Sequence, residues 1–254
     1  MKDSLRQAAV IVFLLATVIV NALANIIPFN GLNTGQISND YPTLFTPAGY
    51  VFAIWGLIYL LLLVYVVYQA LAPQKDNPRL RAAGGWFVLS CIANMAWLFC
   101  WHYLQFPLSM LAMLVLLGSL IMAYVRLEIG RSPAPLSEQL LARAPFSIYL
   151  GWISVATIAN AAILLTSLKW DGLGLAPQIW TLIVLGVAVI LGGLASFLRH
   201  DGLYGLVLMW AFAGIAVRQA ADPLVSGAAW TALGAVLVLV VAGSLRWLRR
   251  PTAR

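Results

Sequence analysis

Three stretches of this chain repeat tryptophan, tyrosine and asparagine at the spacing of a helix face. Ala48, Phe52, Trp55 and Tyr59 recur at intervals of four, three and four residues. Trp86, Ser90, Asn94, Trp97 and Trp101 fall within an arc of about 80° when each residue turns by about 100°. Tyr149, Trp152, Ala156 and Asn160 form a third stripe of the same kind. These residue types do not cut or transfer bonds. Their faces stack on flat apolar molecules, and their amides and indole N–H groups anchor a polar edge. Two readings of the stripes stay open. The asparagines and indoles could hydrogen-bond one helix to the next, worth roughly 1 kcal/mol or less per contact in a membrane, or they could wall a ligand site.

The elements that carry the stripes must lie in lipid. The chain has 254 residues, 63% of them hydrophobic and 9% charged, with a mean hydropathy of +0.93. A soluble domain carries about 25% charged residues. A helix crosses the hydrocarbon core with about 20 apolar residues, and eight runs qualify. They extend from about Ala8 to Pro28, Pro47 to Ala70, Ala83 to Tyr103, Pro107 to Val125, Pro145 to Leu168, Pro177 to Leu198, Gly202 to Gln219 and Ser226 to Leu248, the seventh being the shortest. The fold class is therefore all-α and integral to a membrane, in two parts: 1–168, with five helices, and 169–254, with three.

Charge placement orients the spans. With the N-terminus inside, thirteen of the fifteen Lys and Arg residues fall in inside segments, and only Lys169 and Arg218 fall outside. This predicts a multi-pass protein of a bacterial cytoplasmic membrane with both ends cytoplasmic. It also accounts for the net charge of +7 without a nucleic-acid partner. Lys2, Arg6 and Ala22-Leu23-Ala24 resemble a cleavable signal peptide. Apolar character continues through Ile26, Ile27 and Pro28, which favours a retained helix.

Conventional catalysis is not indicated. All eight acidic residues, Glu138 among them, read as loop or helix-end groups, so no buried carboxylate marks an ion pathway. His102 and His200 lie at helix ends on opposite sides, and no Ser/His/Asp set, phosphate loop or metal spacing occurs. Cys91 and Cys100, nine residues apart, sit on opposite helix faces as buried free thiols. Arg218 reads as the interfacial partner of Asp222. The polar stretch from Phe29 to Thr46 is either a cover for an outward cavity or a plain connector.

The stripes also carry a resemblance. Phe45-Thr-Pro47-Ala-Gly-Tyr50-Val51-Phe52-Ala-Ile-Trp55-Gly-Leu-Ile-Tyr59, then Asn94 with Trp97, then Tyr149-Leu-Gly-Trp152 through Ala156 to Asn160 resemble three ordered motifs of the translocator protein / tryptophan-rich sensory protein (TspO/MBR) family. The matches cover residues 8 to 168. Ala48 stands for a second proline, Tyr50 for a tryptophan and Val155 for an aromatic, as in a divergent branch with three added C-terminal helices. The resemblance implies a five-helix bundle that binds a tetrapyrrole such as a porphyrin or haem, or a sterol-like lipid, and requires no cofactor. Carried onto matching positions, it implicates Phe52, Trp55, Tyr59, Asn94, Trp97, Tyr149, Trp152, Ala156 and Asn160. Leu120, Tyr124 and Arg126 loosely match a sterol-contact pattern. The implied role is a receptor or carrier of a hydrophobic ligand, with the bilayer as surroundings. Light-dependent porphyrin breakdown is the one enzymatic activity that the resemblance suggests. The rival readings are a small-solute permease and a structural partner subunit, the latter drawing on Gly186, Gly192, Gly193 and Gly234. A homo-oligomer is compatible with each.

Overall fold

The computed structural model describes residues 3–27 and 29–248. Lys2, Pro28, Arg249, Arg250 and Arg254, used above for charge or span limits, lie outside the described residues. Every regular element among the described residues is helical. The chain divides into two compact units. The first comprises residues up to Thr43 with Ala53–Ile129 and Ala134–Trp170, and the second Leu44–Phe52, Gly130–Pro133 and Asp171 onward.

The first unit contains α1 (Asp3–Ile26), the short α2 (Thr34–Asp40), α3 (Ile54–Ala70), α4 (Pro78–His102), α5 (Phe106–Arg126), the single turn α6 (Leu136–Glu138) and α7 (Ala144–Ser167). A 3₁₀ turn, Gly49–Ala53, leads into α3. The five long helices close a ring in which α1 packs on α3 and α4, α5 on α4 and α7, and α7 on α3. Helix starts follow local chemistry. The Asn77 side chain accepts from the Arg79 and Leu80 N–H groups with Pro78 in the first turn, so α4 begins at Pro78 rather than Ala83. Asn33 and Gln36 form a reciprocal capping box at α2.

The long helices are apolar and of sufficient length to make this an integral multi-pass membrane protein. Seven spans pass on length and composition. The shorter apolar helix, α9 (Gly202–Arg218), has 17 residues, or about 25 Å against a core of roughly 30 Å. It is the span expected to be shortest.

Residues 126–143 are not a plain loop. α6 runs through a π turn, Gln139–Arg143, directly into α7. Pro145 does not start that helix. Its ring would clash with the carbonyl four residues back in a regular helix, and the wider turn, in which the Ala144 N–H reaches the Gln139 carbonyl, relieves the crowding. The turn also buries Glu138, contrary to its reading as a solvated loop acid. Its carboxylate accepts from Arg79 Nη1 at 3.1 Å, Arg143 Nε at 3.2 Å and Asn77 Nδ2 at 3.1 Å. Arg79 also pairs with Glu128 at 2.9 Å. One network thus joins the start of α4, the end of α5 and the entry to α7.

The segment from Phe29 to Thr46 is anchored to the end of α4. His102 is fully buried; its Nδ1 lies 3.3 Å from the Phe29 carbonyl and its Nε2 3.1 Å from Thr34 Oγ. A carbonyl only accepts, so Nδ1 carries the proton and Nε2 accepts from the threonine hydroxyl.

The second unit packs α8 (Pro177–Arg199), α9 and α10 (Pro223–Leu248) against one another. Glycine sets their approach. A Cβ on Gly192 would stand 2.9 Å from a Leu208 methyl, and one on Gly243 2.6 Å from the Ser196 carbonyl oxygen. Gly130, at φ +68°, lies against the backbone of Arg199, where no side chain fits. The segment Leu44–Phe52 docks on α9: the Ala48 N–H donates to the Gly214 carbonyl at 3.0 Å, and Trp210 Nε1 to the Val51 carbonyl at 3.1 Å. Asp222 does not pair with Arg218. It caps α10 through the Leu224 and Val225 N–H groups and accepts from Gln178.

Glu138→Ala leaves Arg79 and Arg143 facing each other, Arg143 only 8% exposed. The expected loss is about 3 kcal/mol of stability, read as a lowered thermal midpoint in detergent. Arg81→Ala, which removes the exposed partner of Asp3 and Asp76, leaves the midpoint unchanged.

Candidate functional site

Trp55 is the hub of the first unit's aromatic residues. Its ring centroid lies 5.5 Å from Tyr59 on its own helix, 6.4 Å from Trp97 on α4, and 6.1 and 6.2 Å from Tyr149 and Trp152 on α7. The first two pairs are stacked and the last two edge-to-face, the arrangements that ring quadrupoles favour. Trp152 and Tyr149 are 2% exposed, whereas Trp55 and Tyr59 are only half-buried.

A polar relay runs through the cluster. Asn21 Nδ2 donates to the Thr17 carbonyl one turn earlier, at 2.9 Å, and to Asn94 Oδ1 at 2.8 Å. Asn94 Nδ2 in turn donates to the Tyr149 hydroxyl at 3.2 Å. A second group centres on Asn160, whose Oδ1 accepts from Trp97 Nε1 at 3.0 Å and Ser109 Oγ at 3.3 Å. Neither Asn94 nor Asn160 reaches solvent. The Tyr59 hydroxyl is buried and meets no partner at hydrogen-bonding geometry, although Asn94 and Tyr149 are both its neighbours.

The structure thus gathers Trp55, Tyr59, Asn94, Trp97, Tyr149, Trp152 and Asn160 in one unit. Ala156 is half-buried on α7, one turn from Trp152 and one from Asn160. Phe52 is different, since its 3₁₀ turn falls with the second unit. The motif around it is divided accordingly: Pro47 and Val51 lie against Gly214 of α9, while Trp55 and Tyr59 serve the aromatic cluster. Trp101, the last member of the α4 stripe, donates from Nε1 to the Thr34 carbonyl at 3.4 Å.

Asn21 and Ser109 belong to the site and were not singled out from the sequence. The signal for Asn21 was present in the spacing of Thr17, Asn21 and Asn25, four residues apart in an otherwise apolar helix. Ser109 gave none, because a lone serine in a membrane helix usually bonds to its own backbone, as this one also does to the Phe106 carbonyl.

The sterol-contact pattern fails on burial. Leu120 and Tyr124 are 0% and 6% exposed and turn inward rather than to lipid. Cys91 is buried, but Cys100 is only half-buried. Among the described residues no group of three His, Cys, Asp or Glu side chains could hold a metal.

Asn21→Ala and Asn94→Ala each remove one side of the same hydrogen bond. Each should cost about 1 kcal/mol in thermal or denaturant unfolding, and the double variant should cost less than the sum of the two.

With this geometry in place, comparison with known proteins is informative in one respect. Residues 7–242 match the family model described as TSPO-like protein. No curated protein and no solved structure matches. The family match runs beyond residue 168, where the motif resemblance stops, and takes in most of the second unit. The chain belongs to the TSPO-like protein family.

Proposed function

We propose that this protein binds a flat, hydrophobic, aromatic ligand of tetrapyrrole-like or sterol-like character and acts as its membrane receptor or carrier, without covalent chemistry of its own. The observation that carries this reading is the environment of Trp55. Its half-buried ring is held among four aromatic rings from three helices and retains accessible surface on which a planar molecule can stack. Such sites combine aromatic walls with a few polar groups that fix orientation. Here Asn94, Tyr149 and the unsatisfied Tyr59 hydroxyl supply those groups. The placement of Lys and Arg supports a cytoplasmic N-terminus and C-terminus.

Protoporphyrin titration of the purified protein, followed by tryptophan fluorescence, tests the ligand reading. Trp152→Ala and Asn94→Ala should each weaken binding by about tenfold, the loss of one stacking or charge-free polar contact. Unchanged affinity in both variants sinks the site. Orientation has its own test in a background free of Cys91 and Cys100. A membrane-impermeant maleimide should label Ser38→Cys in intact cells and Lys75→Cys only after permeabilisation; the reverse pattern inverts the topology.

A further inference from the structure

We infer that the polar end of this site offers hydrogen-bond donors and therefore selects, among flat apolar molecules, those bearing an acceptor oxygen such as a carbonyl. The inference rests on the ligand-binding reading above and adds the chemistry of the ligand's polar edge.

The direction of the relay follows from one group that can only accept. The Thr17 main-chain carbonyl takes a hydrogen from Asn21 Nδ2, which fixes the Asn21 amide. The same nitrogen faces Asn94 at 2.8 Å, so the Asn94 atom there is its oxygen; the opposite flip would set two donors against each other. Asn94 then presents its nitrogen to the Tyr149 hydroxyl. That hydroxyl accepts from Asn94 and keeps its own hydrogen to donate. Tyr59 is the next neighbour and has no satisfied bond. Whether Tyr149 passes its hydrogen to Tyr59 or points it elsewhere, the relay ends on a phenolic O–H. Phenol oxygens are weak acceptors because a lone pair is delocalised into the ring.

The second group has the same polarity. Trp97 Nε1 is a donor only, so Asn160 presents Oδ1 to it, and Ser109 donates to the same oxygen. The Asn160 nitrogen is left with Met110 Sδ at 3.4 Å, a weak acceptor. The strong acceptor atoms of both asparagines are thus consumed by protein donors, whereas donor hydrogens remain. No Asp, Glu, Lys, Arg or His lies within one helical turn of Asn21, Tyr59, Asn94, Tyr149 or Asn160, so a cationic ligand finds no counter-ion. Asn21 acts here as a positioning residue, because it sets which end of the Asn94 amide faces Tyr149.

Two probes of equal shape separate this inference from the reading beneath it. Anthraquinone carries carbonyl acceptors and anthracene carries none. Each is titrated into the full-length protein in detergent with tryptophan quenching as the readout. Anthraquinone should bind about tenfold more tightly, the value of one buried hydrogen bond. Tyr149→Phe and Asn21→Leu should abolish that preference while leaving anthracene affinity unchanged, a split that general loss of packing would not give. Equal affinity of the two probes for the parent protein overturns the donor assignment and leaves aromatic binding standing. Binding of neither probe overturns the aromatic site itself. A preference that survives Asn21→Leu removes Asn21 from the relay, and if that variant fails to fold, Tyr149→Phe decides the matter.

Discussion

A primary amide buried in a membrane bundle must find partners for its oxygen and its hydrogens, because lipid supplies none. Asn94 meets that constraint, and the arrangement of the first unit depends on it. Its oxygen is satisfied from α1 and its nitrogen by α7, so one side chain fixes the rotation of three helices about their axes. Asn160 repeats the device between α7, α4 and α5 through Trp97 and Ser109. Once those rotations are set, Trp97, Tyr149 and Trp152 have little choice but to meet Trp55. The aromatic cluster is a consequence of amide satisfaction as much as of stacking.

At one end of the same bundle the constraint is met with charge. Glu138 is buried, and two arginines and an asparagine neutralise and saturate it. Such a network gives little net stability against a well-packed apolar core, but losing one member is expensive. It specifies register rather than strength. The second unit uses a different means. Its glycines permit close backbone approach at Ser196 and Val240, where dispersion over a close contact takes the place of polar anchoring. The docking of Leu44–Phe52 on α9 belongs to this second style, with one main-chain bond and one indole bond holding an irregular segment.

Much of this was legible in the residues alone. The apolar runs, the short seventh span and the three stripes follow from periods and lengths that lipid imposes on any helix. Asn94, Trp97, Trp152 and Asn160 stood out because polar or amphipathic side chains are costly at that depth. Other residues gave weaker notice. Asn21 was hidden in a helix read for its leader-like charge and length. Glu138 was hidden because acidic residues near a polar stretch normally sit in solvent, and only the π turn accommodating Pro145 brings this one inside.

The sequence by itself determined that the chain is a bundle of membrane helices and which of their faces carry aromatic and amide groups. Helical periodicity and the cost of burying polar atoms in lipid are properties of each segment alone. Which faces meet was decided only by tertiary structure. The pairing of Asn21 with Asn94, the convergence of four rings on Trp55 and the division of the Pro47–Tyr59 motif between two units depend on contacts between residues far apart in the chain. A hydrogen-bonding group announces that it needs a partner, but the packing of neighbouring helices selects which one it gets.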